Sequence, residues 1–306
     1  MSAYSPRSTH PLWVADLLLL LVTVLAAISW MFSKEALDGF PPLLFIGVRF
    51  LLAGLLLAIP GYKALTRISA QQWRASSAVG VLFGVAMSMW VMGLFHTQHL
   101  GEGSFITSLF VVLVPLISWL FFREKMSRVS WIAQPLALAG LALLSLQHGF
   151  RPELSQILFF TSALLLSLTF ILNGRAATHV PALALSAIQL SLVGIVALGL
   201  SAVLEPWPSV WTGEMWWWLF LSVTIGTAAR FYIQTIAQGM TTPAHAAVIL
   251  LIEPVWTAAI AAWWFAETMT LSQLGGCALI FLALIVNRWG AVTAWWQQRQ
   301  QNAKRD

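Results

Sequence analysis

The run AAVILLIEPVWTAAIAAWWF at residues 246–265 decides how this chain folds. It is almost wholly apolar and has the length of an α-helix that crosses a bilayer. One carboxylate, Glu253, stands near its middle and is followed directly by Pro254. An ionisable group at that depth is costly in a membrane, so Glu253 requires a functional or a structural explanation.

The composition extends this interpretation to the whole chain. Hydrophobic residues make up 59% of the sequence and charged residues 9%, whereas soluble domains carry roughly 25% charged residues. We therefore predict an all-α integral membrane protein with ten transmembrane helices and no soluble domain. The ten predicted spans are Leu12–Phe32, Pro41–Gly61, Trp73–Phe95, Gly103–Phe122, Trp131–Gln147, Ile157–Asn173, Ala182–Leu204, Met215–Gln238, Ala244–Phe265 and Leu271–Arg288.

The distribution of Lys and Arg predicts the orientation, because cytoplasmic loops carry an excess of basic residues. With the N-terminus inside, 12 of the 16 basic residues fall on the cytoplasmic side. We expect a multi-pass protein of the cytoplasmic (inner) membrane with both termini in the cytoplasm. Its basic tail, Arg299 to Arg305, is expected to contact anionic lipid head groups rather than nucleic acid.

The sequence also contains an internal repeat. Phe122-Arg-Glu-Lys-Met-Ser127 resembles Phe265-Ala-Glu-Thr-Met-Thr270, and each motif ends a predicted span. Each half has five spans, an odd number, so the halves face opposite ways, as in many transporters with inverted repeats. The predicted boundaries are a cytoplasmic tail at 1–11, repeats at 12–148 and 149–289, and the basic cytoplasmic tail at 290–306.

These features together resemble the drug/metabolite transporter superfamily, and specifically its EamA-type, ten-helix members. The resemblance rests on Pro41-Pro42 with Arg49, on Pro115 with Phe122-Arg-Glu124, on Ile252-Glu-Pro-Val255 and on Phe265-Ala-Glu267. It implies a secondary transporter that moves small metabolites or amino acids, most often outward, by a proton- or gradient-driven mechanism.

Three charged residues are predicted deep within spans: Arg49, Arg230 and Glu253. Glu253 could pair with one arginine to hold helices together. Alternatively, the second arginine could receive an anionic substrate group, or Glu253 could be the proton-coupling group. The sequence leaves these three interpretations open.

Two prolines predict helix kinks that face a central cavity. Pro254 cannot donate to the carbonyl of Leu250, and Pro115 cannot donate to that of Val111. A carbonyl freed at membrane depth is tolerated only against protein or a water-filled cavity. Weaker candidates for the cavity wall are His245, Trp256, Trp30, Trp90, Thr107 and Tyr232.

No constellation of residues predicts an enzyme, a metal site or a cofactor site. The expected partners are a small-molecule substrate, the lipid bilayer and protons, while the sequence sets no oligomeric state. The alternatives that remain are an exchanger of sugar phosphates or nucleotide sugars, a membrane-embedded transferase, and a scaffold that transports nothing.

Overall fold

The computed structural model describes residues 12–96, 100–123, 128–145, 154–208, 210–264, 270–272, 274–283 and 285–286. Within these ranges the chain consists of helices and connecting turns, with no β-strand. The predicted tails, together with Glu124 and Glu267 of the repeated motif, lie outside the described residues.

The helices follow the apolar runs of the sequence. They are α1 Leu12–Leu37, α2 Pro42–Leu65, α3 Ala70–His96, α4 Leu100–Phe122, α5 Arg128–Ser145, α6 Leu154–Ala177, α7 Ala182–Leu204, α8 Gly213–Val223, α9 Arg230–Met240, α10 Pro243–Leu250, α11 Glu253–Trp264 and α12 Leu274–Ala283. A π-helical segment, Thr224–Ala229, joins α8 to α9. Among the described residues, six spans are long and apolar enough to cross a membrane. These are Trp13–Leu37, Pro42–Leu65, Ala70–Gly93, Leu154–Ala177, Ala182–Leu204 and Gly213–Met240.

Two predicted spans are interrupted rather than continuous. The eighth contains the π segment, where i→i+5 bonding widens the helix. The ninth ends at Leu250, turns at Leu251 and Ile252, and starts again at Glu253. The nitrogen of a proline at position 254 carries no hydrogen, so it cannot donate a hydrogen bond to the carbonyl of Leu250. This accounts for the end of the first helix at Leu250. The cavity-wall candidates His245 and Trp256, predicted on one span, therefore lie on two separate helices, α10 and α11.

Helices α2 and α7 pack closely because glycines remove side chains from their interface. A Cβ atom at Gly54 would lie under 3.0 Å from Ser191, and one at Gly194 would lie under 3.0 Å from Leu51. Gly54 of α2 meets Ser191 of α7, whereas the earlier Leu51 meets the later Gly194, so the helices are antiparallel. The two contacts are equivalent in the two halves: adding 140 to the residue numbers turns Gly54 into Gly194 and Leu51 into Ser191.

The bundle has two ends, which we name by a residue at each. At the Met240 end α1 and α10 begin, because Asp16 near the start of α1 contacts His245 near the start of α10. Helices α6 and α9 end there too, because Ala177 at the end of α6 lies against Gly239 near the end of α9. At the Glu205 end α1 and α7 finish and α2 begins, since Glu205 bonds the first turn of α2.

Two apolar clusters form the core, and the candidate site lies between them. The first contains Ile252 with residues of α1, α6, α9, α10 and α12. The second is built mainly from α2, α3, α7 and α8, with Phe231 packed against it. Because Glu253 directly follows Ile252 and Arg230 directly precedes Phe231, each charge stands at the edge of a different cluster.

Candidate functional site

Glu253 is the first residue of α11 and contacts two other helices. Its Oε1 accepts a bond from Nε1 of Trp30 on α1 at 3.4 Å. Its Oε2 accepts from a terminal nitrogen of Arg230 on α9 at 3.5 Å. The break before Glu253 thus brings a carboxylate to a place where three separate helices meet.

The contact between Arg230 and Glu253 is loose. Charge-assisted bonds of this kind are ordinarily about 2.7–2.9 Å long, and a bond at 3.5 Å is at the limit of hydrogen-bond geometry. The two side chains keep 21% and 20% of their surface exposed. Nε of Arg230 is buried and has no hydrogen-bond partner within the described part of the chain. Both side chains can therefore form further hydrogen bonds with a bound small molecule.

Tryptophans surround one side of this pair. Trp30, which donates to Glu253, packs edge-on against Trp90 of α3 with ring centroids 5.3 Å apart. Trp256, one turn beyond Glu253 on α11, has a buried Nε1 atom that bonds no described residue. Tyr232 is half-buried against the second core cluster, as is Trp90. The carboxylate therefore lies beside a largely aromatic surface.

Arg49 does not contact Glu253, although their predicted depths allowed that pair. Its guanidinium donates to Oγ of Ser33 at 2.7 Å, Oγ of Ser29 at 2.5 Å, Oγ1 of Thr227 at 2.5 Å and the carbonyl of Gly226 at 3.1 Å. We call these five residues the Arg49 cluster. A guanidinium has five N–H donors, so these four bonds use nearly all of its capacity.

The π segment shapes the Arg49 cluster. It supplies both Gly226 and Thr227, and the hydroxyl of Thr227 also donates to the carbonyl of Ser222 at 2.8 Å. A Cβ atom on Gly226 would lie 2.7 Å from Oγ of Ser29 and 3.1 Å from a terminal nitrogen of Arg49. Only glycine allows the guanidinium this close to the backbone. Arg49 consequently ties α1, α2 and the π segment together.

The other candidates are spread along the bundle. Nε2 of His245 contacts Oδ1 of Asp16 at 2.8 Å, at the Met240 end rather than beside Glu253. Thr107 on α4 has a buried hydroxyl without a partner in the described structure. Pro115 lies inside α4, which continues through it from Leu100 to Phe122. The described residues contain no group of three or more His, Cys, Asp or Glu side chains that could hold a metal.

Sequence reasoning missed several polar partners. Asp16 could have been identified from the sequence, because it is a carboxylate inside the apolar first span. Ser29 and Ser33 also had a signal, since a spacing of four residues places both on one helical face. The role of Glu205 could not be predicted from the sequence, because its partners are distant along the chain. Its carboxylate accepts hydrogen bonds from the backbone nitrogens of Leu43 and Leu44 at 2.7 and 2.9 Å.

The model of the EamA-like transporter family matches residues 13–146 and again residues 154–289. The chain belongs to the EamA-like transporter family. The two matches also mean that the family unit occurs twice in the chain, so the protein is a multi-pass membrane transporter built from two repeats.

Two relatives are similar to this chain along most of its length, and a solved structure has a similar fold. The chain is 27% identical over 281 residues to the uncharacterized transporter YvbV of Bacillus subtilis, covering 88% of this chain and 89% of that protein. It is 26% identical over 272 residues to an uncharacterized transporter of Archaeoglobus fulgidus, covering 89% and 85% respectively. A crystal structure with 20% identity superposes with a TM-score of 0.79 over 92% of this chain and 99% of that one. That likeness concerns the fold alone.

Proposed function

We propose that this EamA-type protein is a secondary active transporter that exports small zwitterionic metabolites, foremost amino acids, across the cytoplasmic membrane. The loose contact between Arg230 and Glu253 carries the proposal. An amino acid has a carboxylate and an ammonium group, and the pair offers one complementary charge for each. Trp30, Trp90 and Trp256 then provide an apolar surface for the rest of the molecule.

The loose geometry favours a substrate site over a purely structural pair. A pair that only holds helices together gains most from short, well-aligned bonds, because it must offset the cost of taking two charges out of water. At 3.5 Å that gain is small. An inserted zwitterion would give each charge a shorter partner, and a bond to a charged group contributes about 1.5–3 kcal/mol.

The same carboxylate provides a means of proton coupling. Glu253 cannot hold a proton and accept a substrate ammonium group on the same oxygens at full strength. Proton binding from one side would therefore release substrate, and substrate binding from the other side would release the proton. Such competition couples inward proton movement to outward substrate movement.

The proposed architecture is ten spans in two inverted halves of five, moving against each other by alternating access. The antiparallel α2 and α7, with glycine contacts related by a shift of 140 positions, support the inversion. Arg67, Arg74 and Arg175 lie at the Met240 end, which supports a cytoplasmic location for that end.

Exchange of sugar phosphates or nucleotide sugars is less well supported. A phosphate carries about two negative charges and is typically bound by several cations. Arg49 is already bonded to three hydroxyls and a carbonyl. Among the described residues near Glu253, this leaves Arg230 as the cation with bonding capacity to spare.

The test is flux in sealed vesicles that contain the purified protein, with a panel of proteinogenic amino acids, sugar phosphates and nucleotide sugars. We expect one or more amino acids to move when a pH gradient is applied. Glu253→Gln should reduce that flux at least tenfold. Glu35→Gln is the matched control, because Glu35 is a carboxylate bonded to Trp264 at 3.1 Å, away from the pair. Full gradient-driven flux in a folded Glu253→Gln protein would refute the coupling mechanism, and flux of sugar phosphates alone would refute the substrate class.

A further inference from the structure

A polar stripe runs from the candidate site towards the Met240 end. Arg230, Gln234 and Gln238 are spaced by four residues along α9, so they share one face of that helix. Gln234 and Gln238 keep only 8% and 1% of their surface exposed. A buried row of amides in a membrane protein must face polar partners rather than lipid.

The partners lie on α6. Asn173 donates to Oε1 of Gln238 through its side-chain nitrogen. Helices α6 and α9 both finish at the Met240 end, so they run parallel. Thr169, four residues before Asn173, therefore stands level with Gln234, four residues before Gln238. On the other side, Oγ of Ser186 on α7 donates to Oγ1 of Thr235 at 3.0 Å, which fixes the register of α7 against α9.

Several atoms of this region have no partner in the protein. They are Oγ1 of Thr169, Oδ1 of Asn173, Oε1 of Gln234 and Nε2 of Gln189 on α7, each buried and unbonded within the described residues. We call these four residues the amide cluster. All four side chains are more than nine-tenths buried. Buried polar atoms in folded proteins are almost always bonded to protein or to ordered water, so a ligand must bond here.

The chemistry of the cluster identifies that ligand. Two of the unbonded atoms, Oδ1 of Asn173 and Oε1 of Gln234, can only accept, whereas Nε2 of Gln189 can only donate. The ligand must therefore both donate and accept hydrogen bonds. None of the four residues carries a charge, and Arg230 lies one helical turn before Gln234 on α9. A bound cation would be repelled by Arg230 without a carboxylate of the cluster to hold it. Water is neutral, donates and accepts, and so satisfies these atoms without that penalty.

The first half supports this choice by contrast. Positions 140 apart in the two halves are Ser29 and Thr169, Ser33 and Asn173, and Arg49 and Gln189. In the first half the guanidinium of Arg49 donates to both serines. In the second half the shorter, neutral Gln189 leaves the corresponding acceptors unbonded by protein.

We propose that the amide cluster binds a chain of water molecules that links the Arg230–Glu253 pair to the Met240 end. The chain gives polar solutes and protons access to Glu253 from that end. Its use in transport rests on the function proposed above, whereas its hydration does not.

Silver ion tests this pathway, because it moves with water and reacts with thiols. Cys277 is the single cysteine of the chain, so Cys277→Ala provides a background without thiols. Gln234→Cys is compared with Ala237→Cys, since Ala237 lies on the same helix, nearer the Met240 end, but is fully buried in the first apolar cluster. Silver is added to one face of sealed vesicles without substrate, and the remaining thiols are counted after denaturation.

We expect Gln234→Cys to react at least tenfold faster than Ala237→Cys, and faster from the Met240 face than from the opposite face. Thr169→Cys provides a second position if Gln234→Cys fails to fold, with the same expectation. Equal rates for Ala237→Cys and the cluster positions, no reaction at the cluster, or faster reaction from the Glu205 face would each overturn the proposal. Because no flux is measured, these outcomes are independent of whether Glu253→Gln abolishes transport.

Discussion

The two halves of this EamA-type protein treat the same helical positions differently. The buried guanidinium of Arg49, which belongs to the first half, donates to Ser29 and Ser33 of the same half and to Thr227 and the carbonyl of Gly226 in the second. In the second half the amide cluster has neutral side chains and four buried atoms that no described residue satisfies. A repeated fold can therefore carry a guanidinium with nearly all of its donors bonded at one position and polar atoms that the protein leaves unbonded at the equivalent position. The halves share a backbone plan without being interchangeable in chemistry.

Arg49→Gln tests this difference most severely, because it gives the first half the residue found at the equivalent position of the second. A glutamine has too few donors to serve Ser29, Ser33, Thr227 and the carbonyl of Gly226. We expect the free energy of unfolding to fall by at least about 3 kcal/mol. The melting temperature of the purified protein should fall by about 6 °C or more.

Arg67→Gln is the matched control for that measurement, since Arg67 is exposed. Its melting temperature should change by less than about 2 °C. If the melting temperature of Arg49→Gln shifted no further than that of this control, the bonds of Arg49 would contribute nothing to stability, and the contrast with the amide cluster would lose its meaning.

The glycine contacts test what the halves have in common. Gly54→Ala and Gly194→Ala each place a Cβ under 3.0 Å from the partner helix. Overpacking of this kind costs about 1–3 kcal/mol, and we expect the two variants to lose similar amounts. Gly199→Ala serves as the control on α7, because a Cβ there meets nothing within 4 Å; it should be neutral or slightly stabilising. Strongly unequal losses, measured by thermal unfolding, would show that the two contacts are not equivalent.

A smaller difference concerns the first turns of α2 and α7. The nitrogens of Leu43 and Leu44 donate to the carboxylate of Glu205, whereas the start of α7 packs against the apolar residues Leu65 and Ile68. Glu205→Gln keeps an acceptor but removes the charge from the helix N-terminus.

We expect Glu205→Gln to lower the free energy of unfolding by about 1 kcal/mol and the melting temperature by about 2–4 °C. Glu214→Gln, an exposed carboxylate in the first turn of α8, should have a smaller effect. A larger effect for Glu214→Gln than for Glu205→Gln would contradict the assigned capping role.

Much of the fold was predictable because apolar length and spacing are local properties of a sequence. The helical class and the EamA family are confirmed by the fold and by the family match, while the count of ten spans and the domain boundaries stay predictions. The π segment was not predictable, because Thr224 to Ala229 fits an ordinary apolar helix. It depends on tertiary contacts such as that between Gly226 and Arg49.

The candidate site was predictable in its residues but not in their partners. A charge inside an apolar run is visible at once, so Arg49, Arg230 and Glu253 all stood out. Which arginine meets Glu253 depends on the rotation of α2 and α9 about their axes, and a sequence does not record this. Arg49 bonds Thr227, 178 positions away, and only the folded chain brings them together.

The central claim is that Arg230 belongs to the substrate site whereas Arg49 belongs to the scaffold. Calorimetric titration of the purified protein with the proteinogenic amino acids tests it directly, using the unsubstituted protein, Arg230→Gln and Arg49→Lys. We expect Arg230→Gln to weaken binding at least about tenfold, which corresponds to about 1.4 kcal/mol, without unfolding the protein. Arg49→Lys should melt at a lower temperature yet bind with nearly unchanged affinity. Unchanged affinity in Arg230→Gln, or lost binding in a folded Arg49→Lys protein, would contradict the account.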